Sequence, residues 1–276
     1  MFRRMLFMVM ILISLMFVVF YYGDKDRNVP KSTLGNNSTI IQQTMLKDLP
    51  ELEYPTINET NAKNDLVKSF VCKNIDIKVW ENGRRLKLSG QISYKKPNCF
   101  LFEVSSILGK EMNLGSNETE FWYYSKRDKD PGVYWAIYED FNKTRLKTPF
   151  NPMFMRASLG FESVDAKGAK ITESATQIIV TNSSEDSMGK EILYSVFVNK
   201  NKSIDGFLIT DLQGNTLVSC DIQERINGMP SKILYTWEEE KRTMLMELKK
   251  PNINAINESF AFKMPGFTPK INMAEE

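Results

Sequence analysis

"GQISYKKPNCFLFEV", residues 90–104, places Lys95, Lys96 and Pro97 between two stretches in which apolar and polar side chains alternate. A period of two is typical of β-strands with one buried face. Because proline cannot donate a hydrogen bond to a strand ladder, Pro97 belongs at the start of a strand or in a turn. The stretch therefore predicts a β-hairpin with a polar corner and two arms that share one apolar face.

The same period continues through most of the chain after Lys73. "RRLKLSGQISY", residues 84–94, precedes the hairpin turn, and the aromatic stretches "ETEFWYYSK" and "GVYWAIY" are joined by the loop "RDKDPG". Further candidate strands are "TQIIVTN", "EILYSVFVNK", "SIDGFLITD", "NTLVSCDIQ", "KILYTWEEE", "RTMLMELKK" and "ESFAFKM". Many short strands joined by tight turns predict an antiparallel meander of about 10–11 strands, which hides its edges best by curling towards a barrel.

Two stretches have helical spacing. "NAKNDLVKSFV", residues 61–71, carries Leu66, Val67 and Phe70, and "NPMFMRASLG", residues 151–160, has a possible N-cap at Asn151, Pro152 at the first helical position and Gly160 as the stop. We expect these helices to cover the concave face of the sheet. The lid candidates are Leu66, Phe70, Met153, Phe154 and Met155.

Composition excludes several classes of function. The chain has no histidine, so catalytic triads, Cys-His dyads and common zinc sites are ruled out, and no cofactor or metal is predicted. The formal net charge of +2 gives no reason to expect nucleic acid. Cys72, Cys99 and Cys220 lie far apart and form no metal motif; one disulfide among them is possible outside the cytoplasm, with the pair left open.

Residues 1–23 predict a membrane anchor. Arg3 and Arg4 precede an uncharged apolar run from Met5 to Tyr22, which nearly matches a hydrocarbon core of about 30 Å. Arginines before the run favour a cytoplasmic N-terminus and place the bulk of the chain across the membrane. The bulky end of the run favours an uncleaved anchor; the alternative is a cleaved signal with release to the periplasm.

Residues 24–60 are polar, without a sustained period, and predict a linker. A folded domain is expected over 61–270, with a tail at 271–276.

The order of motifs in the domain resembles the LolA/LolB superfamily of bacterial lipoprotein-localisation factors. "LSGQISYKKPNCFLFEV" is similar to that family's glycine, alternating strand, Arg-Pro and aromatic strand, and "TPFNPMFMRASLG" to its short helix. "LGSNETEFWYYS", "SIDGFLITDLQGNTLVSCDIQE" and "NESFAFKMPGFTP" are similar to its later hairpins and its closing strand. The resemblance covers about residues 60–270 and implies a mainly β, unclosed half-barrel with short helices as a lid or plug.

The resemblance also implies a cavity that holds the acyl chains of a lipid or lipoprotein. The candidates for its lining are apolar strand residues: Leu88, Phe100, Phe102, Trp122, Trp135, Tyr194 and Trp237. The family's arginine before the proline, implicated in closing the lid, corresponds to Lys96, which becomes the gating candidate. Lysine offers a point charge in place of arginine's planar fork.

Three functions fit these observations. The first is an inner-membrane-tethered envelope protein that binds lipid or lipoprotein acyl chains in the periplasm and is not an enzyme. The second is a sensor of misplaced lipid or lipoprotein that signals to an envelope partner protein. The third is a hydrolase that uses carboxylates in the concavity.

Overall fold

The computed structural model describes residues 24–25, 29–32, 34, 54–81, 83–126, 130–144, 152–255, 262–266 and 269–275. The predicted anchor, 1–23, lies outside these residues, as do Asn151 and most of the predicted strand at 258–264. Among the described helices, none has the length and apolarity needed to cross a membrane.

Every strand of the described chain belongs to one sheet, and all but one of the pairs are antiparallel. The strands are β1 Asp24–Lys25, β2 Ser69–Glu81, β3 Arg84–Lys95, β4 Cys99–Ser106, β5 Gly109–Ser116, β6 Glu120–Ser125, β7 Val133–Ile137, β8 Lys170–Glu173, β9 Gln177–Glu185, β10 Glu191–Asn199, β11 Ser203–Thr210, β12 Thr216–Ile226, β13 Met229–Trp237, β14 Arg242–Lys249, β15 Asn252–Ile253 and β16 Lys270–Asn272. The helices are α1 Pro55–Asp65, a 3-10 helix at Tyr138–Lys143 and α2 Pro152–Ala157.

The predicted hairpins around "KKPN" and "RDKDPG" are confirmed. Four of the strands in the described chain are short, two to four residues each. Strands β2 and β5, of 13 and 8 residues, were not among the predicted strands.

The spatial order of the strands is β16-β7-β6-β5-β4-β3-β2-β14-β13-β12-β11-β10-β9-β8, with β1 beside β3 and β15 beside β2. Two meanders therefore run outward from the central β2–β14 pair, and the curved sheet does not close, because β8 and β16 each pair on one side only. The connection from β7 to β8 joins opposite sides of the sheet and carries α2. A connection of this kind must cross one face, which we call the inner face.

The inner face carries the main core. Alternation along the strands brings Phe70, Ile77, Tyr94, Phe102 and Met246 to this face, where they pack with Met155 and Leu159 from α2 and the residues after it. A second apolar cluster continues on the inner faces of β9 to β11, where Ile57 of α1 packs against Ile178 and Val198.

The first helix begins earlier than predicted. It spans Pro55–Asp65, Leu66 follows its end, and Phe70 lies in β2. Pro55 at the first helical position fixes φ for helix entry. The residues after Val67 are extended because Phe70 and Val71 pair with β3 on one side and β15 on the other.

The outer face holds a smaller set of apolar contacts. Trp80 packs with Leu234 and Leu245 near the centre of the sheet. Leu34, from the stretch predicted as a linker, is buried against Ile179, Phe197 and Leu208 on β9 to β11. The chain before α1 is therefore in contact with the folded sheet at Leu34 and, through β1, at the start of β3.

Candidate functional site

Helix α2 lies on the inner face above β10, β11 and β13. The Phe154 ring stacks on Tyr194, with 5.4 Å between ring centroids, and lies 6.0 Å from Phe207. The Tyr235 hydroxyl donates a hydrogen bond of 3.0 Å to the Phe154 carbonyl. Packing between aromatic faces is broad and weakly directional, so α2 is seated mainly by apolar contact and by few polar bonds.

The chain that leaves α2 binds α1. Helix α2 ends at Ala157, and Gly160, the predicted stop, has a φ of +71° in the turn that follows. Asn61 exchanges two hydrogen bonds with the Val164 backbone (3.0 and 2.8 Å), and Asn64 Nδ2 donates to the Glu162 carbonyl at 3.0 Å. Helix α1, helix α2 and residues 158–164 thus form one connected layer on the inner face, which we call the cover.

The cover is fastened to the sheet at the turn between β3 and β4. Lys96 Nζ donates to the Asn64 carbonyl at 3.1 Å and to Asp65 Oδ1 at 3.0 Å, both at the end of α1. From α2, Arg156 Nη1 donates to the Pro97 carbonyl at 3.0 Å and to Asn98 Oδ1 at 2.7 Å. One turn therefore holds both helices of the cover, and we call these contacts the latch.

Lys96, the predicted gating residue, is part of this latch, and Arg156 is the member that sequence reasoning missed. Arg156 supplies the planar guanidinium that Lys96 lacks. Lys96 lies in the turn, whereas Arg156 reaches the turn from α2 of the cover. The signal for Arg156 in the sequence was a basic residue in the last turn of an apolar helix. Because such a residue is equally typical of a charge that complements the helix dipole, it did not indicate a contact with the sheet.

The charged side chains at the latch are partly buried. The Arg156 side chain is 9% exposed, and its Nε lies 3.6 Å from Glu162 Oε1. The hydrogen bond from Lys96 holds the pKa of the Asp65 carboxyl below its ordinary value. Burial raises the pKa of the fully buried Tyr94, which the neighbouring Glu162 raises further. The carboxylates of the latch are thus engaged with cations, an arrangement that fixes a contact.

The predicted cavity residues divide between the two faces. Leu88, Phe100, Phe102, Tyr194 and Trp237 lie on the inner face with the main core. Trp122 and Trp135 lie on the outer face, where they are opposite each other on β6 and β7, and Trp122 Nε1 donates to Asn113 Oδ1 at 2.7 Å. Phe121 and Tyr123, the neighbours of Trp122, face inward because side chains alternate along a strand.

The predicted lid residues are also divided. Met155 is buried against the main core, and Phe154 packs on its edge. Met153 is 38% exposed at the start of α2. Leu66 is 72% exposed beyond α1, and Phe70 belongs to the sheet, where its ring is 5.5 Å from Phe161 of the cover.

The polar partners of the cover were not predicted. Asn61, Asn64 and Tyr235 join its parts to one another and to the sheet. The packing of α1 could not be recognised from the sequence, because its buried positions are Ile57, Thr60 and Asn64, of which one is apolar. Such a stripe does not produce an amphipathic pattern.

A polar groove of about 600 Å³ lies on strands β2, β3, β4 and β14. Its lining combines lysines, carboxylates and amides, among them Lys73, Asp76, Gln91, Glu103 and Lys249. Lys249 is paired with Asp76, and Glu103 accepts from Gln91 and Lys110. A groove of this composition does not suit an acyl chain.

The unclosed antiparallel sheet with a helical cover on its inner face is a fold that this chain shares with solved structures. Among solved structures, a putative outer membrane lipoprotein-sorting protein domain from Vibrio parahaemolyticus is similar, with a TM-score of 0.51 and 9% identity over 75% of this chain and 94% of the other. A DUF1329 family protein from Desulfovibrio piger has a TM-score of 0.48 and 11% identity, covering 76% and 96% of the two chains. For a LolA superfamily protein from Nitrosomonas europaea the values are 0.47, 10%, 76% and 96%. No protein-family model and no curated protein matches the sequence.

Proposed function

We propose that this chain binds the acyl chains of a lipid or lipoprotein between the inner face and the cover, without catalysis, while residues 1–23 tether it to the inner membrane with the domain in the periplasm. The observation that carries the proposal is the contrast in how the cover is held. Its underside is apolar, with Phe154, Met155 and Leu159 on the sheet, and its polar attachment to the rim of the sheet is the latch.

The energies allow a ligand to displace this cover. Each CH₂ group buried by an acyl chain contributes about 0.8 kcal/mol, so a dozen contribute about 10 kcal/mol before the costs of association. The charge-assisted hydrogen bonds of the latch contribute about 1.5–3 kcal/mol each, and the exposed Asp65 end contributes less. The gain on burying a long acyl chain is thus of the same order as the cost of opening the latch.

The similar structure from Vibrio parahaemolyticus supports the proposal at the level of the fold, because that protein is a putative outer membrane lipoprotein-sorting protein domain. The apolar run of residues 5–22, with arginines before it, supports the tether.

The test uses the full chain in lipid nanodiscs that contain a phospholipid with a diazirine in its acyl chain. After illumination, peptide mapping should place the crosslinks on α2 and on inner-face positions such as Phe121 and Tyr123. Crosslinks on Trp122, which lies between them on the outer face, would contradict the proposal, as would labelling no greater than that of an unrelated periplasmic domain.

Two tryptophan substitutions separate a movable cover from ordinary core. Met153→Trp enlarges a side chain on α2, and Met188→Trp does the same in the turn between β9 and β10, where Met188 is 57% exposed. We expect Met153→Trp to change acyl crosslinking severalfold with little effect on the melting temperature, and Met188→Trp to change neither. A parallel loss of melting temperature and labelling in Met153→Trp would count against a lid.

A further inference from the structure

Three side chains form a row across the inner face at the end of the strands opposite the latch. Arg242 of β14 lies opposite Trp237 of β13 on one side and Glu81 of β2 on the other. Trp237 packs in the main core. Glu81 and Arg242 are each two residues along a strand from an inward-facing residue, Val79 and Met244, so they lie on the same inner face. All three residues are at most 6% exposed.

The hydrogen bonds within the row are incomplete. Arg242 Nε and Nη2 both donate to one oxygen, Glu81 Oε1, at 3.1 and 2.6 Å. Within the described chain, the other carboxylate oxygen, Glu81 Oε2, and the indole N–H of Trp237 are buried without a hydrogen-bond partner. Buried polar atoms are almost always paired in folded proteins, so an unpaired acceptor and an unpaired donor in one row indicate a place for an external group.

The row lies at the end of the sheet where β1 pairs with β3. Strand β1, Asp24–Lys25, pairs with Arg85 and Arg84 at the start of β3, and Arg84 is opposite Glu81. Residues 24–25 directly follow the predicted anchor, residues 1–23, in the sequence. An acyl chain that enters the inner face from the bilayer at this end would leave its polar end beside Glu81 and Trp237.

We infer that this row binds the uncharged polar group at the end of an acyl chain, a group such as an amide or a hydroxyl that both donates and accepts a hydrogen bond. This inference rests on the proposed function and adds the class of ligand. The donor of the ligand bonds to Glu81 Oε2, and its acceptor receives the Trp237 N–H. A ligand anion would be repelled by the unpaired carboxylate oxygen of Glu81. A ligand ammonium group offers no acceptor for the Trp237 N–H and would lie beside the like charge of Arg242.

The test compares two ligands of equal shape, N-methyl oleamide and methyl oleate, which differ by N–H in place of the ester oxygen. The full chain is held in amphipol, and each ligand displaces a fluorescent fatty-acid probe. We expect the amide to bind about tenfold more tightly, as for one hydrogen bond to a charged group. A purely apolar hollow predicts the reverse order, because the amide N–H would be buried unpaired.

The double variant Glu81→Met with Arg242→Met should reverse the preference, and apolar replacement of a whole buried ion pair is generally tolerated by the fold. The matched control is Lys78→Met with Glu247→Met, which removes a half-buried ion pair of 2.9 Å from the same two strands and should keep the preference. Melting temperatures of both variants show whether either change acts through folding.

The outcomes are distinct. A tenfold preference for the amide that reverses only in the Glu81 and Arg242 variant supports the inference. Equal or tighter binding of the ester by the unmodified chain overturns the inference and leaves acyl binding intact, and so does a preference that survives in the double variant. Displacement of the probe by neither ligand removes the proposed function and the inference with it.

Discussion

Replacing Arg156 by lysine should loosen the cover without unfolding the sheet. The substitution keeps the positive charge beside Glu162 and removes the planar fork whose Nη1 reaches both the Pro97 carbonyl and Asn98 Oδ1. A lysine ammonium group can keep one of these two bonds, but its single nitrogen on a flexible stem does not reproduce both. The expected effect is therefore the loss of about one charge-assisted hydrogen bond.

A bond of this kind, in a side chain that is nine-tenths buried, contributes about 2 kcal/mol to the closed state. That value corresponds to about a 30-fold increase in the population of the open cover. If ligand enters only the open form, the apparent affinity for an acyl ligand rises by a similar factor until the open form predominates.

Hydrogen exchange followed by mass spectrometry measures this population. The amides of Ser158, Leu159 and Gly160 donate to carbonyls in α2 and should exchange about 30-fold faster in Arg156→Lys. Amides in the centre of β12, such as that of Cys220, should be unchanged. The control Lys232→Met removes an exposed ion pair with Glu224, which contributes at most about 1 kcal/mol, and should leave α2 unaffected.

Two results would refute this account of the latch. Unchanged exchange at residues 158–160 would mean that Arg156 does not restrain α2. An equal increase in α2 and in β12 would mean that the substitution lowers global stability, in which case the cover is part of the core and does not move on its own.

Two further predictions concern the latch in acid and the outer face. Because Lys96 holds the pKa of Asp65 below its ordinary 3.8, the contact is fully present above that pH and is lost as pH falls through the lowered value; hydrogen exchange at the end of α1 should accelerate there, and Asp65→Asn should remove the pH step. Gly115→Ala should cost about 1–3 kcal/mol of unfolding free energy in denaturant titrations, because its Cβ would lie 2.4 Å from Trp122 Cζ2, whereas Gly266→Ala meets open space and should be neutral. An Asp65→Asn chain that keeps the pH step, or a Gly115→Ala chain as stable as the Gly266→Ala control, would contradict the respective assignment.

The sequence by itself determined most of the strands and the turns between them, although β2 and β5 were not among the predicted strands. Alternation is a local property that each strand carries in its own residues, so β3, β4 and the hairpin turn at Lys96–Asn98 could be recognised directly. The second helix was also readable, because Pro152 and Gly160 are local start and stop signals.

Only the tertiary structure decided which face each side chain occupies and what closes over it. Trp122 and Phe121 are adjacent aromatic residues in one strand, and register alone sends one outward to Asn113 and the other into the core. The latch joins residues 31 to 59 positions apart. Such contacts depend on how segments far apart in the sequence pack together in space beneath α1 and α2. A local sequence pattern does not determine that packing.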